Sequence, residues 1–146
     1  MVSKVIKQLQ EIQANSHVLY VAFHNYHWNV KGMQFFPVHE MTEKLYDAMS
    51  EIFDDTAERI LQLGGKPLVT LSEIVAASTL KEETKSSFEA KEVISHVVKA
   101  LEAMLAEWVK LSKLAEEVRD TTTMAMADEK VAELEKQLWM YKATLA

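Results

Sequence analysis

Apolar residues recur at spacings of three and four along four long stretches of the chain. This spacing is typical of an α-helix that buries one face, so four amphipathic helices and an all-α fold are predicted. In the first two helices, the predicted core positions are Val5, Leu9, Ile12, Leu19, Phe23, Tyr26 and Val30, followed by Met41, Leu45, Met49, Ile52, Ile60 and Leu63. In the last two, they are Val93, Val97, Leu101, Met104, Trp108, Leu111, Ala115 and Val118, followed by Ala127, Val131, Leu134, Leu138, Tyr141 and Leu145.

Turn-forming residues indicate where these helices begin and end. Gly32 is predicted to end the first helix, Pro37 suits the opening turn of the second, and a Gly-Gly pair at 64–65 stops it. Residues 66–90 contain a capping-box pattern from Thr70 to Glu73, which predicts a short extra helix. Two helices of about 40 Å can be joined at one end by a few residues. The longer connection therefore predicts a crossover between opposite ends of a ferritin-like four-helix bundle.

Composition narrows the possible chemistry. The chain has 146 residues, of which 49% are hydrophobic, enough for one compact domain over residues 1–146. With only 3 Gly and 2 Pro, it has too few turn residues for a many-stranded β protein. The absence of cysteine excludes disulfides and thiolate metal ligands. Any bound metal must be held by histidine, carboxylate or backbone oxygen.

One uncharged stretch approaches the length of a membrane span. Ile12 to Val30 contains no Asp, Glu, Lys or Arg, but its histidines and amides are too polar for lipid. We expect a helix that is buried on more than one side, by its own bundle and by another subunit. The N-terminal MVSKVIKQLQ does not resemble a signal peptide, which indicates a cytoplasmic protein. A net charge of −6 should attract cations and repel phosphate backbones, so DNA is not an expected partner.

Candidate metal ligands lie near the end of the first helix and along the second. They are His27, His39, Glu43, Asp54 and Glu58. At 100° per residue, the three carboxylates lie roughly 40° to 100° around the second helix from His39, so these four side chains share one stripe. Imidazole and carboxylate together suit Fe(II), Mn(II) or Zn(II). The pattern is compatible with a metal site, while a solvated carboxylate face with structural histidines is the alternative.

The distance between the candidate ligands along the second helix decides whether one chain can bring them together around a metal. His39 and Asp54 are about 22 Å apart along a helix that rises 1.5 Å per residue, whereas the ligands of one metal lie within a few ångströms of each other. An antiparallel two-fold partner would place His39 and Glu43 of one copy opposite Asp54 and Glu58 of the other. No histidine has a glutamate three residues before it, so the Glu-x-x-His motifs of an intramolecular di-iron core are absent.

The remaining histidines and the tryptophans are interpreted as structural. The histidines are His17, His24 and His96, with a proton-relay role as the alternative for His24. The tryptophans are Trp28, Trp108 and Trp139. Trp28 is the exception to consider, because it adjoins a proposed ligand and its indole can donate an electron to a reactive oxidant.

Longer motifs are specific to one family. HNYHWNVKG at 24–32, FF-x-VHE at 35–40, FDDTAERILQLGGKPLVTLSE at 53–73 and a terminal LWM occur in this order. Together they resemble the Dps miniferritins (DNA protection during starvation), and especially the branch that includes the neutrophil-activating protein of stomach bacteria. The similarity covers nearly the whole chain.

This resemblance implies a hollow dodecamer of four-helix bundles with ferroxidase sites at its two-fold interfaces. His27 and His39 would come from one subunit, and Asp54 and Glu58 from its partner. Glu43 occupies a position where many relatives have the shorter Asp. It could therefore bind the metal either directly or through a water molecule. The implied activity is oxidation of Fe(II) by hydrogen peroxide, with storage of the ferric product, and Zn(II) can occupy the same site.

The resemblance also bears on how iron enters the cage and on whether the protein binds DNA. Dps cages have acidic three-fold pores, and Asp120 and Asp128 fall near the matching region; helix-terminal charge is the other explanation. Family members that condense DNA often use a lysine-rich tail, whereas only Lys4 and Lys7 precede the first core positions here. The rival functions are a nucleoid-binding structural protein and a plain helical interaction module that binds no metal.

Overall fold

The protein is described by a computed structural model that covers residues 2–146 and is mostly helical. Its elements are α1 (Val2–Asn29), β1 (Val30–Lys31), α2 (Phe35–Gln62), α3 (Leu71–Ala77), β2 (Phe88–Glu89), α4 (Ala90–Glu117) and α5 (Thr121–Leu145). The helices α1, α2, α4 and α5 pack around one hydrophobic core, and α3 lies in the long connection between α2 and α4. This confirms the predicted ferritin-like bundle with its crossover and short extra helix.

The end of α1 differs from the prediction. The helix stops at Asn29 rather than at Gly32, because Val30 and Lys31 pair in parallel with Phe88 and Glu89 at the far end of the crossover. Gly32 lies in the following turn at a φ of +109°, which favours glycine. The short parallel strands β1 and β2 thus connect the end of α1 to the beginning of α4.

The other predicted helix boundaries are confirmed. α2 begins at Phe35 and ends at Gln62, and the Gly65 N–H donates to the Ile60 carbonyl at 2.9 Å after Gly64 adopts a φ of +82°. The capping box of α3 forms as expected, since the Thr70 hydroxyl accepts the Glu73 N–H at 3.2 Å.

The core of α2 contains two threonines that an apolar pattern does not detect. Its buried positions follow a strict spacing of four and three: Val38, Thr42, Leu45, Met49, Ile52, Thr56 and Ile60. The predicted positions Met41 and Leu63 are only partly buried. Each threonine hydroxyl donates to the carbonyl four residues earlier, at 2.8 Å for Thr42 and 2.7 Å for Thr56, which satisfies it inside the core.

The crossover explains the uncharged stretch of α1. Gln13 donates to the Leu68 carbonyl at 2.9 Å and accepts the Leu68 N–H at 3.0 Å. Asn15, which is fully buried, accepts the Thr79 N–H at 2.9 Å, and Asn25 donates to the Lys85 carbonyl at 2.8 Å. These amides satisfy the backbone of the crossover, so the chain itself covers a second side of α1. Within residues 2–146, no helix is both long and apolar enough to cross a membrane.

A carboxyl pair joins α1 to α4. Glu107 of α4 lies beside Glu11 of α1, and the buried Gln8 donates to the Glu107 backbone oxygen at 3.0 Å and to its carboxylate. Burial, with a smaller contribution from the neighbouring Glu11 carboxyl, raises the pKa of Glu107 to about 7. The hydrogen bond from Gln8 and the charge of Lys110 act in the opposite direction but are weaker. The pair therefore retains a proton in the folded chain at pH values where an ordinary glutamate has lost it.

Replacing Glu107 by Gln should remove part of the dependence of stability on pH. Because the folded pKa of about 7 exceeds the ordinary value of 4.5, this group stabilises the fold fully below 4.5, and its contribution is lost as the pH rises through 7. Since Glu107 is only partly buried, we expect an effect of about 1 kcal/mol after allowance for solvent screening. Chemical denaturation at one protein concentration between pH 4.5 and 8 measures it.

The matched control for this experiment is Glu117→Gln, at the exposed end of the same helix. It should keep the parent's pH dependence of unfolding. Equal pH dependence in the parent and in Glu107→Gln would contradict the proposed sharing of a proton.

Candidate metal centre

Two histidines meet where α1 ends and α2 begins. His27 lies in the last turn of α1, and His39 lies near the start of α2. Their rings stack with centroids 3.6 Å apart and an interplanar angle of 15°. His27 is 6% exposed and His39 is half-buried, so the pair lies at the edge of the core. The short connection between the helices brings together two residues that are twelve positions apart.

Each ring is held by the backbone of the other residue. The Nδ1 of His27 lies 2.7 Å from the His39 carbonyl oxygen, and the Nδ1 of His39 lies 2.8 Å from the His27 carbonyl oxygen. A carbonyl only accepts, so both Nδ1 atoms must carry the hydrogen. In the neutral imidazoles, the lone pair is then on Nε2 in both rings. This is the arrangement in which a histidine binds a metal through one nitrogen and is oriented through the other.

Further side chains that the sequence did not single out contact the pair. The Thr42 hydroxyl lies 3.2 Å from His27 Nδ1, and the Tyr46 ring packs edge-on against His27 at 5.2 Å and stacks on His24 at 3.7 Å. Burial raises the pKa of the Tyr46 phenol, and the Glu43 carboxylate adds to the effect, so the phenol keeps its proton. Both residues follow His39 at helical spacing, which was the only signal in the sequence that could have identified them.

The predicted carboxylate ligands are exposed along α2 and do not gather around the histidines. Glu43 lies one turn after His39, with its Oε1 3.5 Å from the Tyr46 hydroxyl oxygen. Asp54 and Glu58 lie about 22 Å and 29 Å from His39 along the helix axis. Within residues 2–146, no three His, Asp or Glu side chains come close enough to hold one metal ion. One copy therefore provides a histidine pair and, separately, a carboxylate pair.

An apolar face lies between α1 and the crossover. Trp28 is 65% exposed, and its ring is 5.4 Å from that of His24. Together with the exposed Val21 on α1 and Leu71 and Val75 on α3, it borders a groove of about 420 Å³ between α1 and the crossover. Large apolar side chains that cluster in this way are typical of a surface that another molecule covers.

The two predicted pore residues occupy different environments near the corner between α4 and α5. Asp120 is the N-cap of α5, where its carboxylate accepts the Thr123 N–H at 3.0 Å and pairs with Arg59 at 2.9 Å. Burial would raise the pKa of Asp120, but the bonds from Thr123 and the Arg59 guanidinium outweigh it and lower the pKa. Asp128 is exposed and accepts a hydrogen bond from Ser112 at 2.6 Å. A pore role remains a prediction for both.

The other histidines have protein partners. The His17 ring packs against Phe53 at 4.8 Å, and His24 lies with its Nδ1 2.7 Å from the Tyr20 carbonyl oxygen. His96 Nδ1 is 3.1 Å from the Glu83 carboxylate in the crossover. These contacts are those of side chains that pack and anchor, and the structural role of the three histidines stays a prediction.

Comparison with known proteins places this chain in a family. A family model described as the ferritin-like domain matches residues 6–146. The DNA protection during starvation protein of Helicobacter pylori is 44% identical over 143 residues, which cover 98% of this chain and 99% of that protein. The similarity thus extends over nearly the whole of both chains.

Solved structures show the same likeness. The crystal structure of Helicobacter cinaedi CAIP has a TM-score of 0.96 and 46% identity, and covers 97% of this chain and 99% of that chain. A Dps protein from Vibrio cholerae, described as a member of a broad superfamily of ferritin-like diiron-carboxylate proteins, has a TM-score of 0.94 and 31% identity, with coverage of 99% and 91%. The bundle, its crossover and α3 are therefore shared with these proteins.

Proposed function

This chain belongs to the ferritin-like domain family, as one of its Dps proteins, and from that premise we propose that it is an iron-storage subunit with ferroxidase activity. It oxidises Fe(II) with hydrogen peroxide, stores the ferric product in a hollow dodecamer and so limits oxidative damage. The description of the Vibrio cholerae relative as a diiron-carboxylate protein supports iron as the metal. Zn(II) prefers similar ligands and should compete for the same site.

The reciprocal bonds between His27 and His39 are the observation that carries the proposal. Two Nδ1–H groups that donate to backbone carbonyls leave two Nε2 lone pairs on stacked rings 3.6 Å apart. This arrangement suits a metal ligand, which requires both a free nitrogen and a fixed orientation. The pair is half of a site for Fe(II).

The other half comes from a second copy. α2 is a continuous helix, so Asp54 and Glu58 cannot approach His39 of the same chain. An antiparallel two-fold partner would bring its own Asp54 and Glu58 to the histidine pair, and the apolar face around Trp28 and Val21 would supply the contact area. Glu43, one turn from His39, completes the set directly or through water.

The residues have distinct tasks in the oxidation. The imidazoles suit Fe(II), and the Asp54 and Glu58 carboxylates suit the harder Fe(III) that forms. Two Fe(II) ions each give one electron to one hydrogen peroxide, its O–O bond breaks, and two protons are taken up to form two waters. When one Fe(II) alone is bound, the Trp28 indole gives the second electron and loses its proton. No hydroxyl radical is released in either case.

Replacing both His27 and His39 by Ala should slow peroxide-dependent Fe(II) oxidation by more than about tenfold, because even the groups that orient metal ligands contribute 10- to 100-fold. The helical content should stay near the parent's, since neither ring fills the centre of the core. Stopped-flow absorbance of ferric product measures the rate, and circular dichroism measures the fold. His17→Ala is the control and should keep the parent rate. Parent-like oxidation by the double variant would refute the centre.

Sharing of the site between subunits predicts complementation. His27→Ala/His39→Ala subunits and Asp54→Ala/Glu58→Ala subunits should each be inactive alone. In a mixed dimer, one of the two sites at the interface collects all four changes, and the other site collects none. With random pairing, about half of the dimers are mixed and each holds one intact site of two, so roughly a quarter of the parent activity should return.

Separate dissociation and reassembly of each variant is the control, and neither should regain activity. Native mass spectrometry verifies that the mixed cages contain both kinds of subunit. Inactive cages of verified mixed composition would mean that the ligands of each site come from one chain, and the two-fold arrangement would be wrong.

Binding of DNA is the alternative suggested by the names of the relatives. With a net charge of −6, the protein lacks the overall positive charge that drives non-specific binding through counterion release. Linear duplex DNA should therefore show no retardation in a gel at physiological salt and neutral pH. Strong retardation that disappears as the salt concentration rises would reveal a local basic patch and favour the nucleoid function instead.

A further inference from the structure

Thr42 is a buried polar side chain beside the histidine pair. It is 0% exposed on the core stripe of α2, at a position where an apolar side chain would bury without the cost of desolvating a hydroxyl. Its Oγ1 donates to the Val38 carbonyl at 2.8 Å. With its proton directed along the helix, the oxygen has lone pairs left for a second partner.

That second partner is His27. Its Nδ1–H is 3.2 Å from Thr42 Oγ1 and 2.7 Å from the His39 carbonyl oxygen, so it can be shared between two acceptors. Among residues 2–146, the Thr42 hydroxyl is therefore the one side-chain group within hydrogen-bond distance of His27 Nδ1.

The two halves of the histidine pair differ in how firmly they are held. His39 donates to the His27 carbonyl, one of the last four of α1, which have no partner within that helix. His27 donates to the His39 carbonyl, which lies inside α2 and also accepts a helical N–H. Because the acceptor of His27 is already in use, a second acceptor at Thr42 matters more to the His27 ring.

We propose that Thr42 is a positioning residue for Fe(II) binding, whose hydroxyl holds the His27 ring so that its Nε2 lies beside that of His39. The inference rests on the proposed function and deepens it, since it assigns a role to a residue that does not itself touch the metal. Removal of the hydroxyl should weaken metal binding without unfolding the bundle.

Thr56 offers a matched control on the same helix. It is also 0% exposed on the core stripe, and its hydroxyl is 2.7 Å from the Ile52 carbonyl and 3.3 Å from the Phe53 carbonyl, both on its own helix. Thr56→Val thus removes the same buried group and the same bond to the preceding turn as Thr42→Val. The two variants differ at the histidine pair, where Thr42 Oγ1 contacts His27 Nδ1 and also lies 3.1 Å from the His39 carbonyl oxygen.

The test is an anaerobic titration of the assembled protein with Co(II), a probe that binds without being oxidised. Absorbance of the bound ion reports both affinity and ligand geometry. Thr42→Val should bind Co(II) about tenfold more weakly than the parent and show an altered visible spectrum. Thr42→Ser, which keeps the hydroxyl, should stay within about threefold of the parent. Thr56→Val should match the parent in affinity and spectrum, with a loss of thermal stability similar to that of Thr42→Val.

Equal Co(II) affinity in Thr42→Val and Thr56→Val would overturn the inference, and so would a failure of Thr42→Ser to restore binding. If Thr42→Val does not assemble, the pair Thr42→Ala and Thr56→Ala makes the same comparison. The His27→Ala/His39→Ala protein distinguishes a failure of the proposed function from a failure of the role of Thr42. If it binds Co(II) as the parent does, the proposed function fails; if it does not bind and Thr42→Val binds normally, only the role of Thr42 fails.

Discussion

The stiffness of α2 is the constraint on which the rest of the site depends. The helix runs unbroken from Phe35 to Gln62, its only proline lies in the first turn, and it has no internal glycine at which to bend. It therefore holds His39 and Asp54 about 22 Å apart in every copy. A site that needs both residues can form only between copies, so the proposed catalysis depends on the assembly.

The crossover sets the position of α1, and hence of His27, relative to that rigid helix. Amides such as Gln13 and Asn15 hold the crossover backbone against α1, and the parallel pair at Val30 fixes where α1 must stop. Because the helix stops there, the His27 carbonyl is free to accept from His39. The end of one helix thus supplies the group that orients a proposed ligand on the next.

The bundle and the crossover could be predicted from the sequence because each has a local signature. His27 and His39 could be identified as candidate ligands because their residue type suits a metal. Apolar spacing marks a helix, and a capping box marks α3. Thr42 and Thr56 escaped notice because a search for apolar residues skips a hydroxyl that is satisfied by its own helix. The bonds between His27 and His39 could not be predicted, because they depend on how two helix ends meet in space.

Charge gives a reason for dividing the proposed ligands between copies. Asp54 and Glu58 are exposed within one copy, where water solvates them at no cost. In the proposed shared site they would lose that water, and their negative charges, together with that of Glu43, would have to be balanced. Bound Fe(II) would supply that balance, since the attraction of a cation to buried carboxylates is far stronger than in water. Iron binding would then favour subunit association, and subunit association would favour iron binding.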